Sequence, residues 1–243
     1  MMNGVQNIDE VGYWQLIKEI GSFNDKWDES VITKADIFKK LIISLDPLAK
    51  TLLFTQFSPI AIYLSRYYDV TVIGPSRLST VFDTSNIKII EAYSQTKYDI
   101  VLALDEFLTY CDGEESQRSK IDSIANSTDG WLITTLQDYK NFAPHKKNQI
   151  NAMSISSNHN YIMLENSIAD KLDKQIWYHY WMCVKDHNDL ISFGPAVRRT
   201  MYFKQLAKYS SDAGSKQYVI QKNLLYKGFF SKNFEHIITV NFG

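Results

Sequence analysis

One stretch, Thr51–Ser76 (TLLFTQFSPIAIYLSRYYDVTVIGPS), constrains the fold more than any other. An apolar run Thr51–Phe54, a polar turn Thr55–Pro59, an amphipathic Ile60–Tyr68 and a second apolar run Val70–Ile73 read as strand, turn, helix, strand. Strands that are apolar at nearly every position fit a parallel sheet covered on both faces, and parallel neighbours need a crossover between them. In sheets of that kind ligands sit outside the carboxyl ends of the strands. The turn Thr55–Pro59 is therefore the first place to look for a site.

The alternation continues downstream. Ile87–Glu91 reads as a third strand, and Tyr98–Leu104 (YDIVLAL) as a fourth that ends in Asp105–Glu106. A helix-forming stretch Glu114–Ala125 follows, then a fifth strand, Gly130–Leu136, which ends in Gln137–Asp138–Tyr139–Lys140. Five strands with helical segments between them predict an α/β, doubly wound, mostly parallel sheet with helices on both faces. Upstream, residues 1–50 form a helical preface: Tyr13, Leu16, Ile17 and Ile20 repeat at helical spacing, and Ile37, Phe38, Leu41 and Ile42 share a face of Thr33–Ser44 before Asp46–Pro47 breaks it.

The second half changes character. Tyr161–Leu164, Gln175–Val184 and Leu190–Phe193 read as antiparallel strands, the last two joined by the turn-rich Lys185–Asp189. They predict a β insertion at about 155–195 within one domain spanning 51–243. Pro195–Ala213 is expected to be a helix carrying Val197, Met201 and Leu206 inside, with Arg198, Arg199, Lys204 and Lys208 spread around its solvated surface. Tyr218–Leu225 and His236–Phe242 close the chain as a β pair, which brings the sheet to seven strands with an antiparallel terminal strand.

Several function classes are disfavoured. With a formal net charge of −1 the chain has no global field to recruit nucleic acid or an acidic membrane. Its apolar runs are too short to span a bilayer, and the N-terminus lacks a basic segment followed by an apolar one, so a cytoplasmic protein is expected. Cys111 and Cys183 show no CxxC spacing and read as free thiols, although two cysteines can in principle pair. The five histidines give no metal-ligand spacing, and neither a G-x-S-x-G elbow nor a phosphate-binding loop occurs.

The order of elements from Thr51 onward resembles the class I S-adenosylmethionine-dependent methyltransferase fold, a seven-stranded sheet ending in a reversed hairpin. The resemblance implies S-adenosylmethionine as cofactor. It places Thr55, Gln56, Phe57 and Ser58 in the loop under the methionine moiety, Gly74, Pro75 and Ser76 at the ribose, and Ala92 and Tyr93 beside the adenine. Asp105 and Glu106 would then face the substrate. Two departures stand out. Gly74 is the only glycine between Ser22 and Asp112, so TQFSP replaces a glycine-rich loop, with Phe57 in the room glycine would leave. Gly74–Pro75–Ser76 also lacks the carboxylate that takes ribose hydroxyls.

The catalytic candidates are Asp105, Glu106 and Asp138, carboxylates at the mouth of the sheet that can orient a substrate or take a proton. Residues at strand ends also simply turn the chain, and that plainer reading stands beside the catalytic one. Three functions remain open. The first is methyl transfer to an unidentified acceptor. The second is a non-catalytic binding or assembly protein, using the aromatic hairpin Gln175–Phe193 against a protein partner or a second copy. The third is nucleic-acid binding through Lys140, Lys146, Lys147, Arg198 and Arg199.

Overall fold

The computed structural model describes residues 5–7, 9–22, 27–138, 149–154, 161–173, 175–185, 189–227 and 234–243. Its first element is a strand too short for any sequence pattern to announce, Val5–Asn7 (β1), followed by helices Glu10–Ser22 (α1) and Trp27–Leu45 (α2). Then come Thr51–Phe54 (β2), Pro59–Leu64 (α3), Asp69–Ile73 (β3), Ile87–Ile90 (β4) and Tyr98–Ala103 (β5). Helix Glu114–Asn126 (α4) leads into Thr128–Leu136 (β6). Strands Gln149–Ser154 (β7), Tyr161–Ala169 (β8), Ile176–Lys185 (β9) and Asp189–Arg199 (β10) follow. Helix Phe203–Asp212 (α5) and strands Gln217–Lys227 (β11) and Phe234–Asn241 (β12) complete the chain.

Seven strands make one sheet in the order β11-β12-β6-β5-β2-β3-β4. β2 to β6 run parallel, whereas β12 is antiparallel to both β6 and β11. Alternation along the central strands feeds two cores. Leu52, Phe54, Ile100 and Leu102 pack under α2 and α3 with Phe38, Ile42, Ile60 and Leu64, while Leu53, Val101 and Ala103 face α4 and α5 with Ile121, Ile124 and Leu206. Helices thus cover both faces, and the near-continuous apolar strands are the consequence. The register of β2 on β5 is fixed from below: the Asp99 carboxylate accepts from the Lys50 and Thr51 backbone N–H groups at 2.8 Å each and from Thr51 Oγ1 at 2.9 Å.

Because β2 has β3 on one side and β5 on the other, the strand order reverses there. A crevice opens between their carboxyl ends. The insertion stands over that crevice as a second sheet of five strands, β1-β10-β9-β8-β7, in which β1 joins β10 in parallel.

One sequence expectation is corrected here. Pro195–Arg199 is not helical: β10 runs through it, with Ala196 to Arg199 paired to His179 to Ile176, and α5 starts only at Phe203. A register shift between Phe193 and Ala196, with Gly194 at φ +115°, lets the strand carry Pro195, which has no N–H to give the ladder. Tertiary pairing therefore overrides a local pattern that reads as helix. Arg198 and Arg199 consequently lie on a strand. Both cysteines are buried thiols. No helix among the described residues is long and apolar enough to cross a membrane.

Candidate functional site

The crevice is a cavity of about 650 Å³. Its near wall is the TQFSP turn. Thr55 N–H donates to Leu102 O at 3.0 Å, and the Gln56 amide reaches across the switch point to donate to Leu104 O, also at 3.0 Å. Ser58 caps α3, accepting from Ile60 N–H at 3.4 Å. Phe57 is not in the way of a ligand. It is 1% exposed and turned beneath α1, its ring 5.0 Å from Trp14 and 4.8 Å from Phe82. The turn thus trades a glycine loop for an aromatic anchor that holds α1 as a roof. Tyr13 of that roof stacks on Phe193 of the second sheet at 4.7 Å, so the roof joins both sheets over the cavity.

Gly74 and Pro75 line the cavity at the end of β3. The carboxylate they lack stands one strand over, where exposed Glu91, just past β4, lines the same space.

The floor is acidic and largely buried. Asp105 and Glu106 both adopt left-handed backbone, with φ of +52° and +56°. Two consecutive non-glycine residues there cost of order 1–3 kcal/mol each, and strain of this kind clusters at functional sites. The turn puts both side chains on the cavity wall. The half-buried Asp105 accepts from the Tyr226 hydroxyl at 2.8 Å, and burial pushes its carboxyl up. Glu106, 2% exposed, is paired with the guanidinium of Arg198, 5% exposed. Gln137 N–H donates to Glu106 Oε1 at 3.2 Å, and Arg198 also donates to Thr109 Oγ1 at 3.0 Å. The guanidinium lies between two rings, 4.6 Å from Tyr110 and 4.7 Å from Trp177.

A third acid completes the floor. Glu235 of β12 is 3% exposed; Thr135 bonds one carboxylate oxygen, and Oε2 has no hydrogen-bond partner. Burial first, then the carboxylates of Glu106 and Asp105, raise its pKa well above the ordinary value. A carboxyl raised in the folded state stabilises the fold below its unfolded value, 4.5, and that contribution is lost as pH rises through the folded value. Glu235→Gln, which keeps the shape and removes the titration, should therefore gain stability over the native chain progressively as pH rises. Urea unfolding from about pH 5 to about pH 9 checks it, and a pH-independent difference would refute the assignment.

Of the residues singled out from sequence, the cavity unites Thr55, Gln56, Phe57, Gly74, Pro75, Asp105 and Glu106. It is not lined by Ser58, which caps α3, by exposed Ser76 and Ala92, by Tyr93, which packs on the core beneath α4 and α5, or by Asp138. Tyr139, Lys140, Lys146 and Lys147 fall outside the described residues. Sequence reasoning missed Glu91 and Glu235 as cavity residues and named Arg198 only as a candidate nucleic-acid contact. Arg199, on the neighbouring register, is tied to Asp173 at 2.8 Å and to Gln175 at 2.9 Å. Along β9, Trp177 and His179 are buried while Tyr178 and Tyr180, which point the other way, are half-buried.

No protein-family model matches the chain, and no curated protein matches it. Solved structures do. DesVI from Streptomyces venezuelae superposes with a TM-score of 0.69 at 11% identity, covering 96% of this chain and 98% of its own. An S-adenosylmethionine-dependent methyltransferase from Clostridium acetobutylicum gives 0.68 at 11% identity, covering 94% and 99%. CalS10, an amino pentose methyltransferase from Micromonospora echinaspora solved with S-adenosylmethionine bound, gives 0.63 at 10% identity, covering 96% and 98%. At such identities the likeness is one of architecture: the chain has the class I methyltransferase-like Rossmann fold.

Proposed function

We propose that this chain is an S-adenosylmethionine-dependent methyltransferase whose cofactor lies toward the ends of β2, β3 and β4 and whose acceptor lies over the acidic floor at β5 and β12. One observation carries the reading: a single cavity at the switch point, roofed by α1, joins the TQFSP turn and Glu91 at one side to the left-handed Asp105–Glu106 pair at the other. Fold alone would not support it, since one scaffold hosts many functions.

The residues fit the cofactor. The volume, about 650 Å³, lies within the range of small-molecule pockets, roughly 300–1,000 Å³. Gln56, Gly74 and Glu91 would hold the group, with Glu91 supplying the acceptor oxygens for vicinal hydroxyls that Gly74–Pro75–Ser76 cannot. When bound, S-adenosylmethionine supplies a methyl group on a sulfonium that leaves as a neutral thioether. The chain's own contribution is to hold the acceptor near that methyl, exclude water beneath α1, and take up the acceptor's proton on the raised carboxylates of the floor.

Thermal unfolding with S-adenosylmethionine and S-adenosylhomocysteine tests this. Ligand at a hundredfold excess over its dissociation constant should stabilise the chain by about 2.7 kcal/mol. Glu91→Gln, on the exposed rim, should weaken binding about tenfold or more, the loss of hydrogen bonds to a charged acceptor. An unchanged melting temperature at millimolar concentrations of both ligands would exclude the reading.

A further inference from the structure

We infer that the acceptor is an amine, recognised in its protonated form by Glu235 Oε2, Gln137 Oε1 and the Asp105 carboxylate on the cavity floor. The inference rests on the methyl-transfer reading for its meaning, and on the floor's unmatched acceptors for its chemistry.

Glu235 Oε2 and Gln137 Oε1 are buried without a hydrogen-bond partner, in residues 3% and 7% exposed, and both residues line the cavity. A buried acceptor left unmet carries an uncompensated desolvation penalty, larger when the group is charged, so two lining one cavity indicate a missing donor. The charge balance points the same way. Asp105, Glu106 and Glu235 face the cavity from the floor; the lining cation of the floor is Arg198, committed to Glu106, while Lys34 acts on Asp105 from α2 behind Tyr226. What is missing is positive and has several N–H donors. An ammonium has three donors and no acceptor, whereas a hydroxyl brings a single donor and no charge.

Cyclohexylamine and cyclohexanol, a pair of similar shape, separate the alternatives by thermal unfolding of the full chain at neutral pH and matched ionic strength. The amine should raise the melting temperature and the alcohol should not. Glu235→Gln, checked for retained fold by circular dichroism, should weaken the amine at least tenfold, and Gln137→Leu should weaken it by a smaller factor. Equal shifts from amine and alcohol, or an amine shift untouched by Glu235→Gln, would overturn the inference, as would stabilisation by magnesium chloride in place of the amine. S-adenosylmethionine is titrated in parallel. A cofactor shift without an amine shift refutes the amine site and leaves methyl transfer standing. An amine shift without a cofactor shift supports the amine site and removes methyl transfer from it.

Discussion

Arg198→Ala should destabilise the chain by about 3–5 kcal/mol, a large part of the stability of a typical domain. The cost is not mainly the lost attraction. It is the Glu106 carboxylate, 2% exposed, left beside Asp105 and Glu235 with its counter-charge gone. Thr109 Oγ1 would lose two donors, at 3.0 and 3.2 Å, and the rings of Tyr110 and Trp177 would face a void between them. The double variant Glu106→Gln/Arg198→Met should recover at least half of the loss, because it removes the stranded charge and refills the volume. Urea unfolding of the singles and the double gives the coupling directly. If Arg198→Ala cost under about 1 kcal/mol, the pair would be behaving like an exposed one and its burial would be disproved.

The parallel half of the sheet was legible because burial on both faces writes itself into the strands. TLLF, VTVI and YDIVLAL have little choice but to lie between helix layers, and their order led to the seven-stranded resemblance. The second sheet was only half legible. β8, β9 and β10 showed as strands, but β7 (QINAMS) alternates only over Gln149–Ala152 and follows a polar stretch, and the three residues of β1 become a strand only by pairing with β10. Pro195–Ala213 misled for the opposite reason: Val197 and Met201 do fall four apart, as on one face of a helix, yet β9 claims Val197 as a ladder partner.

The candidate site divides the same way. Acids at the end of a buried parallel strand are a signal, and Asp105 and Glu106 were found by it. Glu235 carries none. It reaches the floor because β12 is reversed, which sets the strand's amino end beside the carboxyl end of β6, with His236 opposite Leu136. Arg198 comes from the insertion and Glu91 from the neighbouring strand. Residues at 91, 105, 198 and 235 meet only through sheet order, which no spacing rule contains.

The missing glycine loop shows why a departure from a family pattern needs the packing before it can be read. From sequence, Phe57 stands in the room that glycine would leave, whereas the structure turns its ring beneath α1. Phe57→Ala should cost about 3–5 kcal/mol, the range for truncating a fully buried phenylalanine. Its ring packs on both Trp14 and Phe82, whose own rings meet edge-on at 6.4 Å, so its loss should also loosen α1 over the cavity. Hydrogen exchange should then accelerate across Glu10–Ser22 more than across β5 or β6, as local opening of the roof requires. Phe57→Leu, which keeps most of the volume, should lose less stability and leave exchange in α1 nearly unchanged. A Phe57→Ala protein with native stability and a protected α1 would show that the roof is held by other contacts, and that the TQFSP turn has no part in closing the cavity.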